Sequence, residues 1–160
     1  MSFDSPTKSI LLISTRPLKK ENNIKDIFQN SKIRYVTHPL TEISPLADYN
    51  KFDSILNNIK RFDHIIFIST NAVNFFTERF NINKLDLPEK IKLSCIGPTT
   101  KNILQSKFSR KIQCPEDTFD SENLLKLKLF FNIFNNNILF ILVECGRETL
   151  RHVLELKKAI

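Results

Sequence analysis

Hydroxyls, amides and arginines gather where apolar runs in this chain give way to helix-like ones. Three such junctions recur: Ile65-Ile66-Phe67-Ile68-Ser69-Thr70-Asn71-Ala72-Val73, Leu93-Ser94-Cys95-Ile96-Gly97-Pro98-Thr99-Thr100, and Phe140-Ile141-Leu142-Val143-Glu144-Cys145-Gly146-Arg147. The two glycines of the chain, Gly97 and Gly146, both stand at these places. A strand that turns tightly into a helix leaves unpaired N–H donors and the positive end of the helix dipole at its carboxyl end. In an open α/β sheet those ends face one crevice, so the three junctions describe a rim suited to an anion. Ser69, Asn71, Thr99 and Thr100 can cap their helices and also donate to a ligand. As plain caps each contributes about 1 kcal/mol, and the sequence leaves both roles open. Arg16, just after an apolar run, can pair bidentately with a carboxylate or stand solvated. Arg147 falls at a helix start, where a cation opposes the dipole, which suggests an anion partner.

The elements that must hold these groups follow from periodicity. Ile10 to Thr15 is a β-branched apolar run that suits a buried strand, and Arg16-Pro17 ends it. Lys19 to Asn30 reads as a helix with Ile24, Ile27 and Phe28 on one face. Ile33 to Pro39 alternates as an extended segment, and Pro39 to Pro45 reads as a linker or crossing strand. A regular alternation begins at Ala47. A helix carries Ile55, Leu56 and Ile59, then strand His64 to Ser69, helix Val73 to Phe80 and strand Lys92 to Gly97 follow. Next come helix Thr99 to Lys107 and a short strand from Lys111 to Cys114. Ser121 is placed as the N-cap of a helix running through Asn132, and the Asn-rich tract 132–137 is a turn. Strand Ile138 to Val143 and helix Arg147 to Lys158 close the series. This alternation implies a parallel sheet built by right-handed crossovers.

Composition sets the outer bounds. A chain of 160 residues, 41% hydrophobic and 26% charged, is that of an ordinary folded domain. The net charge of +7 favours acidic partners, although lysines can equally decorate a solvated surface. Cys95, Cys114 and Cys145 are odd in number and widely spaced, as expected of buried reduced thiols in a cytosolic protein. His38, His64 and His152 have no metal-ligand spacing, so no metal is expected. No signal peptide or membrane span is expected either.

Taken in order, the motifs resemble the uroporphyrinogen-III synthase family. Leu12-Ile13-Ser14-Thr15-Arg16-Pro17 is similar to that family's opening strand and Thr-Arg-Pro, and 62–73 (FDHIIFISTNAV) to its central strand and Asn-Ala-Val helix start. Ile96-Gly97-Pro98-Thr99-Thr100 resembles its glycine-to-threonine turn. Pro115 with Ser121-Glu122-Asn123-Leu124-Leu125 resembles its Pro and Ser-Glu stretch, and Gly146-Arg147-Glu148-Thr149-Leu150 its Gly-Arg turn.

The resemblance implies an α/β protein: a parallel-sheet flavodoxin-like lobe with alternating helices, plus an incomplete second α/β lobe, with substrate held between lobes. Residues 1–37 open lobe one, 38–46 form a crossing linker, and 47–160 form lobe two without its return strand. The tyrosine often given a role in this family lies on that return strand, beyond Ile160, so no catalytic residue carries over. The third junction also departs from the family pattern, with Leu142, Val143 and Cys145 where an arginine and glycines are usual. The implied reaction is cyclisation and dehydration of hydroxymethylbilane, a linear tetrapyrrole polycarboxylate, with inversion of its last ring. No cofactor takes part. Arg16, Ser69, Asn71, Gly97, Thr99, Thr100, Ser121, Gly146 and Arg147 are the implied substrate contacts. A homodimer or a complementing polypeptide would then complete lobe one in this shortened member, in the cytoplasm.

A different reading is a non-catalytic basic α/β domain that binds an anionic ligand or a partner protein. Nucleic acid is disfavoured, because no Lys/Arg stripe is interleaved with aromatics.

Overall fold

A computed structural model of the chain describes residues 10–18, 26–28 and 33–142. The chain divides into two compact units, Met1–Pro45 and Leu46–Ile160. Among the described residues no helix is long and apolar enough to cross a membrane.

In the first unit, β1 (Leu11–Ser14) and β2 (Arg34–Thr37) pair in parallel, with Leu11 opposite Arg34 and Ser14 opposite Thr37. Both strands fall where the β-branched and alternating runs place them. The expected burial of the first does not follow: Ile10 is 60% exposed and Leu12 39%. Two strands alone have two faces to cover. Phe28 stacks on Tyr35 with ring centroids 5.4 Å apart, which shelters part of β2 and leaves β1 open. Residues 26–28 are helical, inside the expected helix from Lys19 to Asn30, whose remainder lies outside the described residues. Ile27, expected on its apolar face, is exposed.

The second unit is an α/β lobe. Its helices and strands among the described residues are α1 (Asn50–Asn57), β3 (His64–Phe67), α2 (Thr70–Ile82), β4 (Lys92–Cys95), α3 (Pro98–Phe108), β5 (Ile112–Gln113), α4 (Ser121–Leu125) and β6 (Ile138–Ile141). The four strands form one parallel sheet in the order β5-β4-β3-β6. The parallel sheet and alternating helices are those the sequence pattern implies.

Because strand side chains alternate, each face of the sheet collects its own core. Ile65 and Phe67 of β3, Leu93 and Cys95 of β4, and Ile112 and Cys114 around β5 join Leu56, Phe76, Phe80 and Leu104 in one cluster. Ile66 on the opposite face meets Leu124, Phe130 and Ile133. Burial of β3 on both faces explains why Ile65, Ile66 and Phe67 are apolar in succession rather than alternating with polar residues. Phe76 is the hub of the larger cluster, with ring centroids 5.1 Å from Phe67 and 5.4 Å from Phe80.

Polar ties fix the helices. Asp53 of α1 accepts from Arg79 Nε at 2.7 Å and from Asn83 Nδ2 at 3.0 Å, and Arg79 also lies over the Tyr49 ring. The Arg79 guanidinium beside Asp53 holds that carboxyl below its ordinary value. This pairing joins α1 to the last turn of α2, where a cation also suits the dipole.

Two elements differ from expectation. α1 ends at Asn57, so Ile59, expected on that helix, falls in a separate turn of 3-10 helix over Ile59–Arg61. The helix from Ser121 is five residues long, and a separate turn of 3-10 helix spans Lys128–Phe130. The reason lies in Leu125, Leu127 and Leu129, which recur with a period of two and all pack on the second cluster. A continuing α-helix would turn every other leucine away from the sheet. The chain extends at Leu127 instead, with φ −63° and ψ 138°.

The Asn-rich turn is built into the sheet. Asn135 takes a left-handed φ of 58°, which asparagine tolerates well. The Asn137 N–H donates to Asp63 Oδ2 at 2.9 Å, and its carbonyl accepts from the backbone N–H groups of Asp63 and His64. Asn136 Nδ2 lies 2.9 Å from His64 Nε2. The turn thus clamps the start of β6 against the start of β3.

Candidate functional site

The registers of β3, β4 and β6 put Phe67, Cys95 and Ile141 abreast, so the three strands end on one edge of the sheet. Two of the three junctions therefore open side by side, with α2 leaving β3 and α3 leaving β4. The strand order reverses at β3: the chain runs outward through β4 and β5, then returns to place β6 on the other flank. In parallel sheets the carboxyl ends of the strands around such a reversal form the crevice that holds ligands.

Ser69 caps α2. Its backbone is extended, with φ −153° and ψ 163°, and its Oγ accepts from the Ala72 N–H at 3.2 Å. The hydroxyl hydrogen remains available to an acceptor outside the helix. Asn71 is half-buried in the same turn and does not cap the helix.

Gly97 caps α3 with no side chain to accept from the first turn, and Pro98 follows at the first helical position. The N–H groups of Thr99 and Thr100 thus face the helix end without a capping oxygen from Gly97. The φ of Gly97 is −127°, a value open to any residue. A Cβ placed there would meet nothing within 4 Å. Neither backbone strain nor crowding inside the chain calls for glycine here; what it provides is uncovered backbone at the rim. Thr99 is exposed, whereas Thr100 is only 6% exposed.

The remaining expected site residues are placed differently. Ser121 is the first residue of α4 rather than its cap. That role belongs to Asp120, whose Oδ1 accepts from the Asn123 N–H at 2.7 Å. An ionised carboxylate is the stronger acceptor for a helix-start N–H, and this bond holds the Asp120 carboxyl below its ordinary value. Arg16 is exposed in the first unit, just beyond β1, and its N–H donates to Ser14 Oγ at 3.4 Å. Gly146 and Arg147 lie outside the described residues, as do Cys145 and the helix expected from Arg147.

The second junction carries a feature that motif reading missed. Cys95 Sγ donates to the Gly97 carbonyl at 3.6 Å, and Cys114 Sγ to the Ile96 carbonyl at 3.5 Å. Burial pushes the Cys95 thiol well above its ordinary range, and the adjacent Cys114 adds to the shift. The signal was present in the sequence, since Cys95 ends β4 and Cys114 follows directly on β5. Among the described residues no group of three or more His, Cys, Asp or Glu side chains could hold a metal ion.

A parallel sheet that reverses its strand order beside two helix N-termini defines an α/β protein of the class whose ligands bind at the carboxyl edge of the sheet. Within that class, residues 23–160 match the family described as uroporphyrinogen-III synthase HemD, and the chain belongs to this family. It is similar to the uroporphyrinogen-III synthase of Proteus mirabilis, with 29% identity over 122 residues. The aligned region covers 76% of this chain and 61% of that protein. The chain therefore spans about three fifths of the length of the curated relative it matches.

Proposed function

We propose that this chain acts in uroporphyrinogen-III synthesis, steering hydroxymethylbilane through loss of water and closure with its last pyrrole ring inverted. The observation that carries this reading is the pair of helix starts, α2 and α3, side by side at the carboxyl edge in a member of this family. A linear tetrapyrrole of this kind is a polycarboxylate that can lose water and close without a catalyst, giving the uninverted isomer. The demand on the protein is therefore to hold the chain ends in the inverting geometry rather than to supply strong acid–base groups.

In this proposal the Ser69 hydroxyl, the Asn71 amide, the Thr99 hydroxyl and the N–H groups over Gly97 hold substrate carboxylates. Thr100 serves through its backbone N–H. Ser121, Gly146 and Arg147 contribute further contacts, Arg147 by charge-assisted pairing.

The test is incubation of the purified chain with freshly generated hydroxymethylbilane and measurement of the type III to type I uroporphyrinogen ratio. Excess type III is the expected result. Type I alone from a folded sample would reject the proposal and favour a non-catalytic anion-binding domain.

A further inference from the structure

Cys95 and Cys114 sit on neighbouring parallel strands, one residue beyond the paired Ser94 and Gln113. Both belong to the same core cluster, so they lie on the same face of the sheet. Adjacent strands run about 4.8 Å apart, inside the Cα separation of roughly 4.4–6.8 Å that a disulfide spans. Their thiols hydrogen-bond to successive carbonyls, Ile96 and Gly97, of the turn that starts α3.

We propose that Cys95 and Cys114 are a reversible thiol–disulfide pair that acts as a redox latch on the turn from β4 to α3. In the reduced chain the two S–H groups brace the turn from below. Oxidation by a low-molecular-weight disulfide, such as glutathione disulfide, removes both donors together. The Cys114 thiolate attacks one sulfur of the oxidant and expels the other as a thiolate. Cys95 then loses its proton and attacks the Cys114 sulfur, expelling the second thiolate. Two S–H bonds are lost and one S–S bond forms, while the oxidant is reduced to two thiols. Cys114 is the entry point because it is 8% exposed and Cys95 is 0% exposed. Burial first, and the adjacent Cys114 second, hold Cys95 protonated, so Cys95 is the second of the two to react.

The test is titration of the native chain with glutathione disulfide, followed by peptide mapping and hydrogen exchange, with C145S in parallel. The expected product is an intramolecular Cys95–Cys114 cross-link in both proteins, reversed by dithiothreitol. Amides of Gly97 and of Thr99, Thr100 and Lys101 should then exchange roughly fivefold to tenfold faster, the order expected for loss of one or two hydrogen bonds. A persistent mixed disulfide, a link through Cys145 in the native chain, or no oxidation would overturn the pairing. A cross-link with unchanged exchange would overturn the latch.

Discussion

At the scale of single residues, Gly97 separates packing from ligand access. Open space surrounds it, and its backbone suits any residue. G97S should therefore leave the thermal midpoint unchanged or raise it slightly, since serine caps better than glycine by a few tenths of a kcal/mol. The same substitution places a hydroxymethyl group over the α3 N-terminus, and the type III fraction should fall. Ser69 offers the complementary case. S69A removes the cap on α2 and should cost about 1 kcal/mol in urea unfolding, with a loss of type III product larger than that destabilisation explains. His64 is 1% exposed, and its Nε2 lies 2.9 Å from the Asn136 Nδ2, which donates to it when the imidazole is neutral. Burial first, then the nearby Lys92 charge, lowers its pKa from the ordinary 6.5, with Asp63 opposing. Below 6.5 the unfolded chain takes up a proton that the folded chain does not, so stability present above that value is lost as pH falls. Urea midpoints measured from neutral pH down to about pH 5 should decline, and H64Q should flatten that decline. Nothing in the sequence around His64 announces this role, because its partner lies 72 positions away in an asparagine tract that reads as a plain turn.

At the scale of elements, the sheet edge and its two helix starts were legible, and the connection between β5 and β6 was not. Strands β3 and β4 are short runs carrying Ile65, Ile66 and Phe67, and Leu93 and Cys95, that lead into Ser69 and Gly97, and both the strands and the turns that follow them are found there. The stretch after Ser121 misled because a good capping sequence precedes leucines spaced for a strand. D120A should lower stability while S121A leaves it nearly unchanged, a contrast that thermal melts of the two variants would show. Phe76 is fully buried among Phe52, Phe67, Phe80 and Phe108. F76A should cost about 3–5 kcal/mol, the usual range for emptying such a site, read as a lowered denaturant midpoint with an unchanged slope.

At the scale of the whole molecule, both core clusters draw their members from residues 56–141. A fragment starting at Leu46 should therefore keep cooperative unfolding. A broad, non-cooperative melt would show that the first unit supplies part of the stability. The apolar character of β1 was evident in the sequence, but its exposure was not, since exposure depends on what covers a strand rather than on the strand itself. The clamp between the Asn-rich turn and the start of β3 also sets a timetable for folding. Strands β3, β4 and β5 can zip together through connections that close early in synthesis, whereas β6 must find β3 across some seventy intervening residues. Until it does, one hydrogen-bonding flank of the most buried strand stands open to any other chain. The turn that seats β6 is thus also the guard against misassembly, and weakening it should show first as aggregation on the ribosome-to-native path rather than as a lower melting temperature.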